Sequence, residues 1–288
     1  MRNLYRLAAV DLDEYRKQSL DSWDRFSGNW VEERDFVSQK MRPVSDALIA
    51  GLDPQPGETI LELAAGTGDL GFEVAERLGD DGRLVQTDFA PGMVEAARRA
   101  SAERGLATVD HRVLDAERMD LEDSSFDGVL CRFGYMLMAD PAAALAETRR
   151  VLRDGGRVAF AVWAAPDLNK WAFVPGLVLV ELGYMPPPEP GAPGIFAMAD
   201  PERIRSLVTG AGFAELSIDQ VPVSWGYIDT AEHWEKTLKL AAPIAEAYNS
   251  VPSEEQERIR TTVAERVEPL LNGDDAPING LTHVVTAR

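Results

Sequence analysis

Hydrophobic and polar positions alternate in two registers along this chain, and the registers themselves alternate. Short apolar runs bounded by turn residues read as buried strands, and stretches with apolar positions at three- and four-residue spacing read as helices. Trp23, Phe26 and Trp30 make one helical stripe within a polar N-terminal stretch. Gly28 predicts a break between Phe26 and Trp30. A helix is expected from Val44 to Leu52, after Pro43, followed by the turn Asp53-Pro54-Gln55-Pro56-Gly57. Five strands then alternate with helices: Thr59–Ala64, Leu84–Asp88, Val109–Leu114, a fourth through Phe126–Arg132, and Arg157–Trp163. Intervening helices are expected to Leu78, over Pro91–Arg104, and from the N-cap Asp140 and Pro141 to Leu152. Alternation of this kind predicts an α/β fold with a parallel sheet, right-handed crossovers and helices on both faces.

After Trp163 the pattern changes. Helical spacing returns over Lys170–Tyr184, then a proline-rich stretch runs from Pro186 to Pro193. Asp200-Pro201 starts a helix to Gly210, Phe213–Val223 alternates as a strand, His233–Tyr248 and Ser253–Leu271 read as two amphipathic helices, and Leu281–Ala287 is a terminal strand. Phe213–Val223 and Leu281–Ala287 are expected as a sixth and a seventh strand. The expected organisation is a helical cap over residues 1–40 and one domain over 41–288, with substrate-roof insertions at 164–199 and 226–275.

The strongest local signal is the run Glu62-Leu63-Ala64-Ala65-Gly66-Thr67-Gly68-Asp69. Gly66 and Gly68 allow a tight turn and close backbone approach to a ligand, at the carboxyl end of a strand where open α/β sheets bind. The literal pattern G-x-G-x-x-G, with Asp88 at the second strand's end, also fits a dinucleotide site. Glu62 and Asp69 argue otherwise: two carboxylates disfavour a pyrophosphate and suit cationic groups.

These residues resemble motif I of the class I S-adenosylmethionine-dependent methyltransferases, E-x-G-x-G, with Ala64 at the first small position. Thr87–Val94 resembles the D-x-S-x-x-M pattern of the ubiquinone/menaquinone-type branch, with Ala90 in place of serine. Ser125-Phe126-Asp127 and Leu152-Arg153-Asp154-Gly155-Gly156 resemble later motifs of the family, the latter with Asp154 in place of proline. The resemblance spans roughly residues 58–163. It implies a Rossmann-like seven-stranded, mostly parallel sheet closed at one edge by an antiparallel hairpin of the last two strands, S-adenosyl-L-methionine as cofactor and a small-molecule acceptor. It implies a cofactor site of Glu62, Ala64, Gly66, Thr67, Gly68, Asp88, Phe89, Met93, Asp115, Ala116, Glu117 and Arg132, with Trp23 as a cover. Asp88 would take the ribose hydroxyls, and Asp115 the adenine amine. An NAD-dependent oxidoreductase and a non-catalytic cofactor-binding protein of the same fold are the alternatives.

For the acceptor side, apolar helical positions after Trp163 predict a roof, with Tyr135, Trp163, Trp171 and Trp234 as substrate residues. A largely apolar acceptor follows, methylated on oxygen rather than on carbon or nitrogen. His233 and Tyr135 are the candidates for proton handling or orientation.

Composition narrows the partners. Of 288 residues, 48 are acidic and 29 basic, a net charge of −19 that repels nucleic acid and anionic membranes. Cys131 is the single cysteine, which excludes an intramolecular disulfide. No ligand cluster points to a metal, and Met1–Arg6 lacks the apolar core of a signal peptide. The expectation is a cytoplasmic monomer or homodimer.

Overall fold

The computed structural model describes residues 11–189, 191–272 and 279–288. Residues 1–10 of the expected cap, Pro190 of the proline-rich stretch and residues 273–275 of the second insertion lie outside them. Helices α1 (Leu12–Glu32), α2 (Arg34–Lys40) and α3 (Arg42–Leu52) lead into β1 (Thr59–Leu63). Then follow α4 (Asp69–Leu78), β2 (Arg83–Asp88), α5 (Pro91–Glu103), β3 (Val109–Val113), β4 (Phe126–Arg132), α6 (Pro141–Val151) and β5 (Leu152–Trp163). The C-terminal part is α7 (Lys170–Glu181), α8 (Pro201–Gly210), β6 (Leu216–Ser224), α9 (Thr230–Leu240), α10 (Ala242–Asn249), α11 (Ser253–Asn272) and β7 (Asn279–Ala287).

The seven strands form one sheet in the order β3-β2-β1-β4-β5-β7-β6. The first five pair in parallel, and β7 runs antiparallel between β5 and β6. Strand order reverses between β1 and β4, so right-handed crossovers place α4 and α5 on one face and α6 on the other. The reversal opens a crevice at the carboxyl ends of β1 and β4, where such sheets take ligands. Leu61, Leu63, Val129, Leu130, Val158 and Phe160 are buried in the central strands, as strands covered on both faces require.

Three boundaries depart from expectation for local reasons. α1 continues through Gly28, whose position meets no neighbour, so one glycine does not end a 21-residue helix. Pro243 sits at the first turn of α10 and splits the expected His233–Tyr248 helix at Ala241. β5 starts at Leu152, which pairs with Phe126, and a register shift before Gly128 absorbs the Asp154-Gly155-Gly156 irregularity. Gly155 takes φ +75° there, a value glycine adopts without penalty.

Candidate active site

The turn after β1 is built from unusual backbone. Ala64, Gly66 and Gly68 have φ of +50°, +57° and +86°. A Cβ on Gly66 would meet nothing within 4 Å, so the turn's outer surface is open to a ligand. Two bonds tie the turn to β2: Ala65 N donates to Thr87 O at 2.9 Å and Gly66 N to Asp88 Oδ2 at 2.9 Å. Asp88 Oδ1 accepts from Ala90 N at 2.9 Å. Burial pushes the Asp88 carboxyl up, against backbone N–H groups of Ala90, Gly66 and Phe89 that favour its charge. Each oxygen retains a lone pair beyond these bonds.

The acids around the turn are not the free anions the sequence suggested. Asp69 opens α4 and is bound by Arg34 Nε at 2.7 and 2.9 Å, by Arg104 Nη2 at 3.2 Å and by the Thr67 hydroxyl at 2.8 Å. Glu62 is buried, accepts from Gln86 Nε2 at 2.7 Å, and its carboxyl is pushed up to about 8 by burial. Arg132 donates to Ser45 Oγ at 2.8 Å and faces the charges of Glu62, Asp69 and Glu73. With Asp69 paired and Glu62 held in its protonated form by burial, the turn's negative charge is much reduced from what the sequence suggests.

At the end of β3, Asp115 Oδ1 accepts from Glu117 N at 2.9 Å, and Ala116 lies half-buried between them. Glu117 is occupied: its carboxylate binds Arg16 Nη2 at 2.6 Å and Ala139 N at 2.8 Å. That pairing engages both oxygens of the Glu117 carboxylate. Phe89 is half-buried beside Asp88, and Met93 is in the core of α5.

How the N-terminal helices dock was not legible from residue pattern. Side chains of α1 and α2 reach the loop after each of the first four strands. Arg34 binds Asp69 after β1, Asp24 accepts from Gly92 N at 2.6 Å after β2, Arg16 holds Glu117 after β3, and the Tyr15 hydroxyl donates to Leu137 O at 2.9 Å after β4. Trp23 stands half-buried against Trp30, ring centroids 5.6 Å apart. Long-range ion pairs between charges scattered over 100 residues leave no local pattern from which to read them.

On the acceptor side, aromatic rings line the tips of β4, β5 and β6. Phe133, with φ +64°, stacks on Trp163 at 4.4 Å and 5°. Trp163 meets Trp171 of α7 at 5.0 Å, and Trp171 meets Trp225 at 4.3 Å. Trp225 is parallel to Tyr227 at 5.8 Å. A non-glycine residue at positive φ is strained, and such strain gathers at functional sites. Trp225 and Tyr227 escaped the sequence reading, although two aromatics directly after a strand tip were the available signal.

Three expected acceptor residues are placed differently. Tyr135 is fully buried in a short helical turn after β4, its oxygen 2.6 Å from Thr148 Oγ1, and does not face the sheet top. That burial corrects its proposed part in catalysis and substrate contact. Trp234 packs edge-on against Tyr248 of α10 at 5.1 Å, inside the helical layer rather than in the aromatic row. His233, a candidate for proton handling, is fully buried, with Nε2 2.8 Å from the Trp171 carbonyl oxygen. Cys131 is also buried, and its thiol is pushed up to about 12, which removes it as a nucleophile.

An antiparallel β7 inserted between β5 and β6, with a glycine turn facing an acid, defines the Rossmann-like sheet of methyltransferases, not the uninterrupted parallel sheet of a dinucleotide dehydrogenase. A family model described as "Methyltransferase domain" matches residues 60–156. The chain is 34% identical to aklanonic acid methyltransferase DauC of Streptomyces sp. (strain C5), over 51% of this chain and 65% of that protein. It is 34% identical to the nocamycin O-methyltransferase of Saccharothrix syringae, over 72% of this chain and 71% of that one. It is 33% identical to the ubiquinone/menaquinone biosynthesis C-methyltransferase UbiE of Brucella anthropi, over 56% and 66%. The chain thus spans about two thirds of the length of these relatives. Among solved structures, phosphoethanolamine N-methyltransferase 2 of Haemonchus contortus shares the fold, at TM-score 0.57 and 15% identity over 93% of this chain and 59% of that one. The chain belongs to the S-adenosylmethionine-dependent methyltransferases, and S-adenosylmethionine is its cofactor. Among the described residues no helix is long and apolar enough to cross a membrane.

Proposed function

We propose that this chain transfers the methyl group of S-adenosylmethionine to an oxygen of a small, largely apolar molecule. The observation that carries the reading is the aromatic row at the tips of β4, β5 and β6, held beside the glycine turn by Gly134, which packs on Ala64. Gly66, Thr67 and Gly68 would border the methionine part of the cofactor, Asp88 the ribose and Asp115 with Ala116 the adenine. The two oxygens of Asp88 are already aimed by backbone N–H groups, so the ribose hydroxyls meet a fixed acceptor. Bound there, the cofactor would supply an electrophilic sulfonium methyl to the acceptor oxygen, with sulfur keeping the electron pair of the sulfur–carbon bond and the acceptor's proton going to solvent or base.

What this chain contributes is alignment and exclusion of water. α1 and α2 cover the crevice, and the aromatic row presents a dry wall to an apolar acceptor. Oxygen as the accepting atom is supported by the nocamycin O-methyltransferase; the UbiE relative, named as a C-methyltransferase, favours carbon as the second reading. Incubation with methyl-labelled S-adenosylmethionine and a panel of phenols, enols and quinols, with product mapping by NMR, tests both. Label on oxygen supports the first reading, and label on ring carbon the second. Calorimetric binding of S-adenosylhomocysteine with no transfer to any member of the panel would leave a non-catalytic binding protein.

A further inference from the structure

Two buried polar atoms in the aromatic row have no partner, and they are of opposite sense. Trp225 is 4% exposed and its Nε1–H, which can only donate, meets no acceptor. His233 is 0% exposed, and its Nε2 faces the Trp171 carbonyl at 2.8 Å. A carbonyl only accepts, so Nε2 carries the proton and Nδ1 is left as a bare acceptor; it too is unpartnered. Burial holds this imidazole below its ordinary value, which keeps it neutral in water of neutral pH.

The two atoms share one neighbourhood. Tyr227 lies parallel to Trp225 at 5.8 Å and perpendicular to His233 at 5.0 Å. Trp30 Nε1, Trp234 Nε1, both nitrogens of His111 and His283 Nδ1 are also buried without a partner among the described residues, but here an orphaned donor and an orphaned acceptor flank one ring, that of Tyr227. Trp171 Nε1 does find an acceptor, Asn169 Oδ1 at 3.3 Å, and the rest of Asn169 is spent on the backbone of Ala164, Ala165 and Leu281. Native interiors pair their buried polar groups, so an orphaned donor and acceptor set among flat rings mark where a ligand supplies the missing halves.

We infer that Trp225 and His233 are specificity-determining residues of the acceptor site, and that the acceptor is a planar oxygenated ring. One ring oxygen accepts from the Trp225 N–H, and a hydroxyl donates to His233 Nδ1. The inference rests on the methyl-transfer reading for the site's purpose, but its residues are read from the row alone. Two parallel ring pairs, Phe133 with Trp163 and Trp225 with Tyr227, favour a flat ligand over a puckered one.

Three probes separate the terms: 1,5-dihydroxynaphthalene, its dimethyl ether, and decahydronaphthalene-1,5-diol, each titrated calorimetrically into the full chain saturated with S-adenosylhomocysteine. The aromatic diol is expected to bind at least about tenfold more tightly than the ether, which cannot donate, and than the saturated diol, which cannot stack. His233→Phe keeps a flat ring and removes the Nδ1 acceptor, together with the bond to the Trp171 carbonyl, so the folded variant should lose the preference for diol over ether. Trp225→Phe should weaken diol and ether alike by about tenfold. Wild-type affinities within threefold of one another for the three probes would overturn the inference without any variant, and so would an unchanged diol preference in folded His233→Phe. Failure of the wild type to bind S-adenosylhomocysteine would instead remove the methyl-transfer reading, with the same probe series, run on the free chain, still deciding this one.

Discussion

Gly134, just past β4, lies so close to Ala64, just past β1, that a Cβ built on Gly134 would stand 2.6 Å from the Ala64 Cβ. The same Cβ would be 2.6 Å from Cys131 Sγ. Ala64 itself sits at φ +50°, where a side chain is strained. The alanine at the motif's first small position is thus accommodated by a glycine 70 residues away, across the switch point of the sheet. Gly134→Ala should destabilise the fold by about 1–3 kcal/mol through overpacking. Adding Ala64→Gly removes one of the two clashes and should recover part of the loss. Thermal melts of the two singles and the double give the coupling; strict additivity would show that the two positions do not touch.

Asp88→Ala should weaken S-adenosylhomocysteine binding by at least about tenfold, because charge-assisted bonds to the ribose are worth about 1.5–3 kcal/mol each. The structure adds a second consequence. Asp88 also accepts from Gly66 N and Ala90 N, so the variant loosens the turn and lowers the melting temperature. Calorimetry on the folded variant decides: unchanged affinity would falsify the assignment of Asp88 to the cofactor.

Gly66→Val brings strain and bulk to one point. At φ +57° a β-branched side chain is disfavoured, and the space it would fill is open. Because no protein atom lies within 4 Å, the effect on binding should exceed the effect on stability. A folded variant with normal cofactor affinity would place the ligand elsewhere.

How much of this was legible beforehand follows from the range of the interactions. β1 to β5 announced themselves because buried parallel strands are apolar runs and their turns carry glycine. The reversal of β7 was expected only from the family resemblance, because a long helical connection allows either strand direction. Ala64, Gly66, Gly68 and Asp88 were legible because the turn and the strand end are local. Tyr135 misled: adjacency to a strand tip suggested exposure, whereas the chain turns directly after Phe133 and carries the ring back to Phe160 and Thr148. The charge on Asp69 misled too, since neither Arg34 nor Arg104 is near it in sequence. Side-chain pairing over such distances is settled by tertiary packing, and a pattern of residue types cannot encode which arginine meets which acid.

Glu62 makes stability depend on pH. Its ordinary value is 4.5, and burial in the fold pushes it up to about 8. Between those values the folded state binds the proton and the unfolded chain does not, so Glu62's contribution is full in acid and is lost as pH rises through 8. Glu62→Gln keeps a neutral side chain at Gln86 and should remove the loss. Relative to wild type, its melting temperature should rise steadily from pH 5 to pH 9, measured at constant ionic strength. Two melting curves that stay parallel across that range would mean the carboxyl is not perturbed by burial.

The roof tryptophans should behave differently from each other. Trp171 belongs to the aromatic row, with Trp163 at 5.0 Å and Trp225 at 4.3 Å. Trp234 is 6% exposed and packs on Tyr248 between α9 and α10. Trp234→Ala leaves a cavity within a helical layer, a change that costs about 3–5 kcal/mol in buried sites, and should act on stability first. Trp171→Ala strips one ring from the acceptor wall and frees the Asn169 oxygen, so methyl transfer or acceptor affinity should fall about tenfold or more, roughly one stacking contact plus its buried area. Cofactor affinity should survive in both, because the glycine turn and Asp88 lie on other strands. Calorimetry with S-adenosylhomocysteine, acceptor titration and thermal melts run on each variant separate these effects. If Trp171→Ala loses only thermal stability and keeps full transfer, the row is a structural core, and the apolar acceptor has lost its support.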